Sequence, residues 1–434
     1  MSFFPFHQTE FKKYFFNTSW AIGERISLLV LAFFIGIFVA RFLGPDKFGL
    51  LSYALSYVSL FLFLSKLGLD GILTRNLIQK PELYESLLGT SFALKLMGAS
   101  AILILISISF KVLSNDTYTK LLILVAAFGK FFEAFSVIDI YFKSQVQAKY
   151  SSIANFSAAL ASGLLKIFLI FLKCSLIWFC IVILLEQVIT SIMLIFLFMH
   201  QGHYPSKWRF DLRLAKNLIY DSWPLILSGL MVMVYLRIDQ IMIKSMIDNQ
   251  ALGNYSAAVK LSEIWYFFPI AITQSIFPAI LGAKIKSEMT YFKQIQTLYD
   301  IMVWSAIAIA IPISFFSKYI IFLLYGNAFA AASKVLTIHI WTAVFVFLGL
   351  ASDKFMLAEG LMKLTLYRSC LGVIVNITLN VILIKMYGII GAAISTLVSQ
   401  IMASFVFDLL NKKTIKSFKM KIKSFFPLHL LSIL

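Results

Sequence analysis

Long apolar runs dominate this chain and restrict the folds open to it. The sequence is 60% hydrophobic and only 13% charged, with a mean hydropathy of +0.89, whereas soluble domains are usually about 25% charged. A stretch of about 20 mostly apolar residues can cross a bilayer as a helix. Backbone N–H and C=O groups inside lipid must form hydrogen bonds within the protein, and a helix provides these bonds within its own segment. The pattern predicts an all-α integral membrane protein.

Twelve stretches have the length and composition of membrane spans. They lie at approximately 20–41, 48–69, 86–110, 119–141, 152–172, 175–199, 222–244, 252–281, 296–317, 333–357, 364–385 and 388–410. The sequence Leu43-Gly44-Pro45-Asp46 predicts a tight turn between the first two, since Gly permits unusual backbone angles and Pro stops a helix.

The distribution of basic residues predicts the orientation in the membrane. If both termini are cytoplasmic, the cytoplasmic segments carry roughly twice as many Lys and Arg residues as the outer loops, as the positive-inside bias requires. This bias also explains much of the net charge of +18. The charge therefore gives no reason to predict a nucleic-acid partner.

Short internal similarities suggest a duplicated chain. The segment 48–54 (FGLLSYA) resembles 252–258 (LGNYSAA), and 139–142 (DIYF) resembles 353–356 (DKFM) in the same order. Two six-helix halves of this kind enter the membrane from the same side, and the substrate sites of such transporters usually lie between them. The predicted organisation is an N-terminal bundle at 1–199, a cytoplasmic linker loop at 200–221, a C-terminal bundle at 222–411 and a basic cytoplasmic tail at 412–434.

Nine basic residues lie within the predicted spans. They are Arg25, Lys66, Lys95, Lys130, Lys166, Arg237, Lys260, Lys354 and Arg368. A cation at bilayer depth costs roughly 2.5–3.5 kcal/mol on insertion scales, so such residues face a water-filled cavity or a partner. Together they predict a cavity for an anionic substrate. The candidate substrate-binding cations are Arg25, Lys130, Lys166, Arg237 and Lys260.

Acidic neighbours leave a structural alternative open for several of these cations. Glu133 is three residues from Lys130, and Glu263 is three residues from Lys260, so each pair shares a helix face. Asp239 could neutralise Arg237, which lies two residues earlier in the same span. Asp239, Glu133 and Glu263 are also the candidates for binding a coupling proton or sodium ion, because the chain contains no phosphate-binding GxxxxGK[ST] motif.

The sequence gives little support for an enzyme. The three cysteines lie in or beside apolar runs without CxxC spacing, and no HExxH or similar ligand pattern occurs. We therefore predict neither a catalytic residue nor a metal nor a cofactor.

Five segments carry a resemblance to a known family: WAIGERI at 20–26, ARFLGPDKFGLLSYA at 40–54, RIDQIM at 237–242, GNYSAA at 253–258 and YGIIGAA at 387–393. In these segments the chain resembles bacterial polysaccharide flippases, the Wzx-like branch of the MOP exporter superfamily. The resemblance implies two pseudo-symmetric six-helix bundles of the MATE type in the bacterial inner membrane. The implied activity is translocation, by alternating access, of undecaprenyl-pyrophosphate-linked oligosaccharides for a surface polysaccharide such as O-antigen or capsule.

The resemblance also implies partners and leaves rivals. A lipid-linked anionic oligosaccharide and membrane lipids are the expected ligands, and a polysaccharide polymerase and a chain-length regulator would be further partners. A cation-coupled multidrug exporter of the same superfamily and a non-transporting membrane scaffold for polysaccharide assembly are the alternatives. A peptidoglycan-precursor flippase fits less well, since such proteins typically carry two further C-terminal spans.

Overall fold

A computed structural model describes residues 8–111 and 116–426, and the side chains from residue 16 onward. The described chain is helical. The first eight helices are α1 (Gln8–Ser59), α2 (Leu62–Lys66), α3 (Leu69–Gln79), α4 (Tyr84–Ser109), α5 (Thr117–Glu133), α6 (Ser136–Ser144), α7 (Ala148–Phe171) and α8 (Leu176–His200). The other nine are α9 (Leu212–Met246), α10 (Asn249–Glu263), α11 (Phe267–Lys286), α12 (Glu288–Tyr325), α13 (Ala332–His339), α14 (Thr342–Ala358), α15 (Met362–Tyr387), α16 (Ile389–Ser404) and α17 (Ile415–Phe425).

Eleven helical segments of the described chain are long and apolar enough to cross a membrane. The predicted all-α membrane fold is confirmed, and the chain is a multi-pass membrane protein. The count is one lower than the twelve predicted spans because the first two spans share the continuous helix α1.

The predicted turn between the first two spans is a break within α1. Gly44 has φ 70° and ψ 170°, a conformation that side-chain-bearing residues rarely adopt, and Pro45 follows it. The proline also removes a backbone donor from the helix. The chain direction therefore changes at Gly44 although helix resumes immediately afterwards.

The chain packs as two compact units. The first comprises 1–43 and 54–233, and the second comprises 44–53 and 234–434. Residues 200–221, the predicted linker, therefore pack with the first unit. The amide of Asp211 donates to Thr90 Oγ1 at 3.0 Å, and Arg75 forms an ion pair with Asp221 at 2.6 Å. The predicted bundle limits themselves stay a prediction.

The segments that look duplicated in sequence meet each other in the second unit. A Cβ added to Gly49 would overlap the carbonyl oxygen of Asn249, and a Cβ added to Gly253 would overlap that of Pro45. The two contacts are reciprocal, because Gly253 is the equivalent of Gly49 in the second repeat and Asn249 is the equivalent of Pro45. Glycine is required at both positions because the backbones approach within the space of a methyl group.

Each unit has its own aromatic-rich core. The core of the first unit contains Tyr141, Phe142 and Phe198. A larger core in the second unit contains Tyr299 and Phe347. These cores fix the helices that carry the charged side chains described next.

Candidate functional site

Two of the candidate cations in the first unit form ion pairs. Lys130 Nζ lies 2.9 Å from Glu133 Oε2, one turn away on α5. Lys166 on α7 lies 3.2 Å from Glu186 Oε2 on α8. No acid lies within one helical turn of Lys166 in sequence, so its partner could come only from a neighbouring helix. The contact of Lys130 matches its structural alternative, whereas that of Lys166 was not predicted. A substrate-binding role for either lysine stays a prediction.

Arg25 differs from the other candidate cations of the first unit. Its side chain is exposed, and within the described residues it forms no ion pair. The adjacent Glu24 has the opposite role: its carboxylate accepts from Ser152 Oγ at 2.9 Å and from Asn155 Nδ2 at 2.7 Å, which joins α1 to α7. Successive helical residues point about 100° apart, so one can join helices while the other stays accessible.

A groove of about 480 Å³ lies beside Glu24. Its lining combines aromatic rings and serine hydroxyls, from Phe16, Ser19, Trp20, Gly23, Glu24, Ser27, Ser152, Ile153, Phe156 and Ser157. The groove is formed by α1 and α7 alone, so it belongs to the first unit. One of its lining residues, Glu24, directly precedes the candidate cation Arg25 on α1.

Of the two candidate cations of the second unit, Arg237 has a different partner from the one in the sequence pattern. Arg237 Nη1 lies 3.8 Å from Glu263 Oε2 on α10, and both side chains are partly exposed. Lys260 is exposed, with its ammonium 4.5 Å from the centre of the Phe48 ring. The acid beside Arg237 is thus Glu263 rather than Asp239.

Asp239 is the most enclosed of the candidate coupling acids. It is buried on α9, and its carboxylate is held by neutral donors only: Asn380 Nδ2 at 2.5 Å, Thr396 Oγ1 at 2.5 Å and Tyr255 OH at 2.8 Å. No ion pair to Asp239 occurs among the described residues. Four helices, α9, α10, α15 and α16, therefore converge on one buried carboxylate.

One polar atom beside Asp239, Asn380 Oδ1, lacks a hydrogen-bond partner among the described residues. Asn380 is buried on α15, on the same face as the buried Asn376. Buried polar atoms are nearly always paired, so each exception calls for an explanation such as an ion or water. Carboxylate, amide and hydroxyl oxygens are the ligands that hard cations prefer. We call this set of residues (Asp239, Tyr255, Asn376, Asn380, Thr396) the Asp239 cluster.

Sequence reasoning identified Asp239 but not the rest of its cluster. A signal was present: Asn376 and Asn380 are four residues apart within an apolar span, which places two amides on the same face of one helix. Groups of three or more His, Cys, Asp or Glu side chains suited to a metal do not occur among the described residues. The cluster escapes that criterion because it contains only one carboxylate.

The other intramembrane cations also have partners or exposed positions. Lys95 is almost fully buried and donates to Asp70 at 2.8 Å and Ser136 at 2.9 Å. Arg368 pairs with Asp353 at 2.5 Å. Lys354 lies 5.3 Å from the centre of the Phe277 ring, and Lys66 is exposed. At least five of the nine cations therefore form ion pairs within the described part of the chain, which leaves fewer of them free to bind an anionic substrate.

Comparison with known proteins assigns the chain to a family. The model of the family described as "Polysaccharide biosynthesis protein" matches residues 16–284, and the MatE family model matches 224–382. The probable low-salt glycan biosynthesis flippase Agl15 of Haloferax volcanii is 26% identical over 189 residues, which are 43% of this chain and 39% of that protein. The match spans about two fifths of that relative's length.

Solved structures show the same fold at low sequence identity. A multidrug resistance MATE family transporter of the MOP superfamily, in an inward-facing conformation, aligns with a TM-score of 0.75 and 15% identity over 91% of this chain and 95% of its own. The lipid II flippase MurJ, in an inward closed conformation, aligns with a TM-score of 0.69 and 16% identity over 96% of this chain and 92% of its own. The predicted MATE-like fold is confirmed. The chain belongs to the polysaccharide biosynthesis protein family.

Proposed function

We propose that this protein is a flippase that moves a lipid-linked anionic oligosaccharide across the membrane for the synthesis of a surface polysaccharide. The observation that carries the proposal is the family match over 16–284 on a chain with the MATE and MurJ fold. The proposed carrier lipid is undecaprenyl pyrophosphate, and the proposed membrane is the bacterial inner membrane with both termini in the cytoplasm. Polysaccharide polymerase and chain-length regulator are the proposed partners.

The candidate cations would contact the phosphates of the carrier lipid or acidic sugars. Arg25 is the strongest of them, because it is exposed and has no acidic partner among the described residues. A guanidinium can bind a phosphate through two parallel hydrogen bonds. Lys130, Lys166, Arg237 and Lys260 follow. The substrate would have to displace the acidic partners of Lys130, Lys166 and Arg237.

Asp239 is the proposed coupling residue. Glu133 and Glu263 each have a cation within 3.8 Å, which already compensates their charge. Among the described residues, the carboxylate of Asp239 has only neutral donors and lies beside an amide oxygen that has no hydrogen-bond partner. A proton or a sodium ion bound there would neutralise a buried charge, which is otherwise costly. Binding and release of that cation can therefore be linked to a conformational change.

Deletion of the gene and complementation test the proposal. Deletion should remove one surface glycan, and the wild-type gene should restore it. Asp239→Asn, which keeps the shape but removes the charge, should restore much less. Asp300→Asn is the matched control, since Asp300 is also a buried carboxylate of the second unit and accepts from Gln296 at 2.8 Å. Surface glycan that persists in the deletion strain would contradict the proposed function.

A cation-coupled multidrug exporter is the second candidate. It is favoured by the MatE match at 224–382 and by the TM-score of 0.75 with a multidrug transporter. The Asp239 cluster would serve either function, so only the substrate distinguishes them. In that case the deletion strain should keep its surface glycan and become sensitive to cationic drugs.

A further inference from the structure

The C-terminal helix α17 has three chemically distinct faces. Its buried face carries Ser417, Lys421 and Ser424, preceded by Thr414. At about 100° per residue, the exposed lysines Lys416, Lys419 and Lys423 fall within about 60° of one another, on a face centred about 130° from the buried one. Between these two faces lies an apolar flank of Ile415, Phe418, Ile422 and Phe425.

The buried face fixes the rotation of α17 about its axis. Lys421 Nζ donates to Asp408 at 2.8 Å, to Ser352 Oγ at 3.0 Å and to the Ser404 carbonyl at 2.7 Å, which uses all three of its protons. Ser417 Oγ donates to the same Asp408 oxygen at 3.0 Å. Because these groups are buried and directional, α17 cannot turn its lysine face inward without leaving Asp408 uncompensated.

The contacts with α12 set the height of α17 along the second unit. Lys416 lies 3.4 Å from Glu288 at the start of α12, and Trp304 Nε1 donates to the Ser424 carbonyl at 3.0 Å. Residues 288–300 of α12 are rich in polar side chains, whereas 301–313 are almost entirely apolar. The helix α17 therefore packs beside the part of α12 in which the polar residues give way to apolar ones. Tryptophan is typical of that border in membrane proteins.

We propose that α17 is a membrane-surface helix whose lysine face binds the head groups of anionic phospholipids. A helix that lies in the interface places its apolar side towards the acyl chains and its cations towards the head groups. Here Ile422 is 39% exposed beside Lys419 and Lys423, which form no ion pair among the described residues. Nucleic acid or a soluble phosphate would complement the charge of the lysines but would leave Ile422 and the exposed Phe426 in water.

A fluorescent label on α17 can report its lipid neighbours in the full-length protein. The parent carries Ile422→Cys labelled with a fluorophore, with Cys174, Cys180 and Cys370 replaced by alanine, in nanodiscs. Quenching is compared between nitroxide-labelled phosphatidylglycerol and nitroxide-labelled phosphatidylcholine at equal mole fraction. We expect at least about twofold stronger quenching by phosphatidylglycerol, since each lysine near an anionic surface contributes about fivefold in affinity.

Two changes should remove that preference. The double variant Lys419→Gln/Lys423→Gln should bring the quenching ratio close to one, and so should 1 M salt, at which the screening length is about 3 Å. The double variant Lys318→Gln/Lys334→Gln is the matched control, since it removes two exposed lysines of the second unit outside α17. A ratio of one in the parent, a ratio unchanged by the α17 variant, or no quenching by either lipid would overturn the proposal.

Discussion

The ion pair between Lys421 and Asp408 should hold α17 against the second unit. Both side chains are 0% exposed, and their atoms lie 2.8 Å apart. Replacing Lys421 by methionine leaves a buried carboxylate without its cation, and breaking a buried pair in this way typically costs about 3–5 kcal/mol. Because about 1.4 kcal/mol corresponds to a factor of ten, amide exchange across 415–425 should accelerate by about two to three and a half orders of magnitude.

Hydrogen exchange measured by mass spectrometry on the full-length protein checks this expectation. Lys419→Met is the matched control, since Lys419 is an exposed lysine of the same helix and should leave exchange unchanged when the protein is in zwitterionic detergent without anionic lipid. The double variant Lys421→Met/Asp408→Leu should recover much of the protection, because apolar pairs often replace buried ion pairs at little cost. Equal protection in Lys421→Met and Lys419→Met would refute the reasoning, as would a double variant no better than the single one.

Three further outcomes follow from the same structure. Gly253→Ala should destabilise the protein, because the added Cβ would overlap the Pro45 carbonyl oxygen. In Gly282→Ala the added Cβ meets no atom within 4 Å, so this control should stabilise α11 by about 0.5–1 kcal/mol. Thermal unfolding in nanodiscs compares the two variants. Glu24→Gln should lower the free energy of unfolding by about 1–3 kcal/mol, because it weakens two charge-assisted hydrogen bonds between α1 and α7; the same assay measures it. Burial lowers the pKa of Lys421 from 10.5 to about 8, although the neighbouring carboxylate opposes this. Between about pH 8 and 10.5 the unfolded chain therefore binds more protons than the folded one, so the free energy of unfolding, relative to that of Lys421→Met, should rise with pH. A difference between the two proteins that does not change with pH would contradict this expectation.

The membrane fold was predictable from the sequence because its signals are local. A run of about 20 apolar residues specifies a spanning helix without reference to the rest of the chain. The break at Gly44 was predictable for the same reason, since Gly and Pro act on their own backbone angles. The division into units was less accessible, because it depends on which helices pack together, and 44–53 joins residues nearly two hundred positions later.

The charged sites were predictable only where partners lie on one helix. Spacing of three residues indicated the pair of Lys130 with Glu133. It could not indicate that Lys166 pairs with Glu186, since that contact depends on how α7 packs on α8. Asp408 was overlooked as a buried acid because its partner Lys421 lies in a segment that reads as a solvated basic tail. Of that predicted tail, residues 427–434 lie outside the described residues.

Transport in a reconstituted system tests the central claim most directly. Proteoliposomes would contain a fluorescent undecaprenyl-pyrophosphate oligosaccharide, with its movement between leaflets followed by access of a membrane-impermeant quencher. We expect protein-dependent translocation that responds to a sodium or proton gradient, is strongly reduced by Asp239→Asn and is retained by Asp300→Asn. Translocation no faster than in protein-free liposomes, beside gradient-driven movement of a cationic drug, would contradict it.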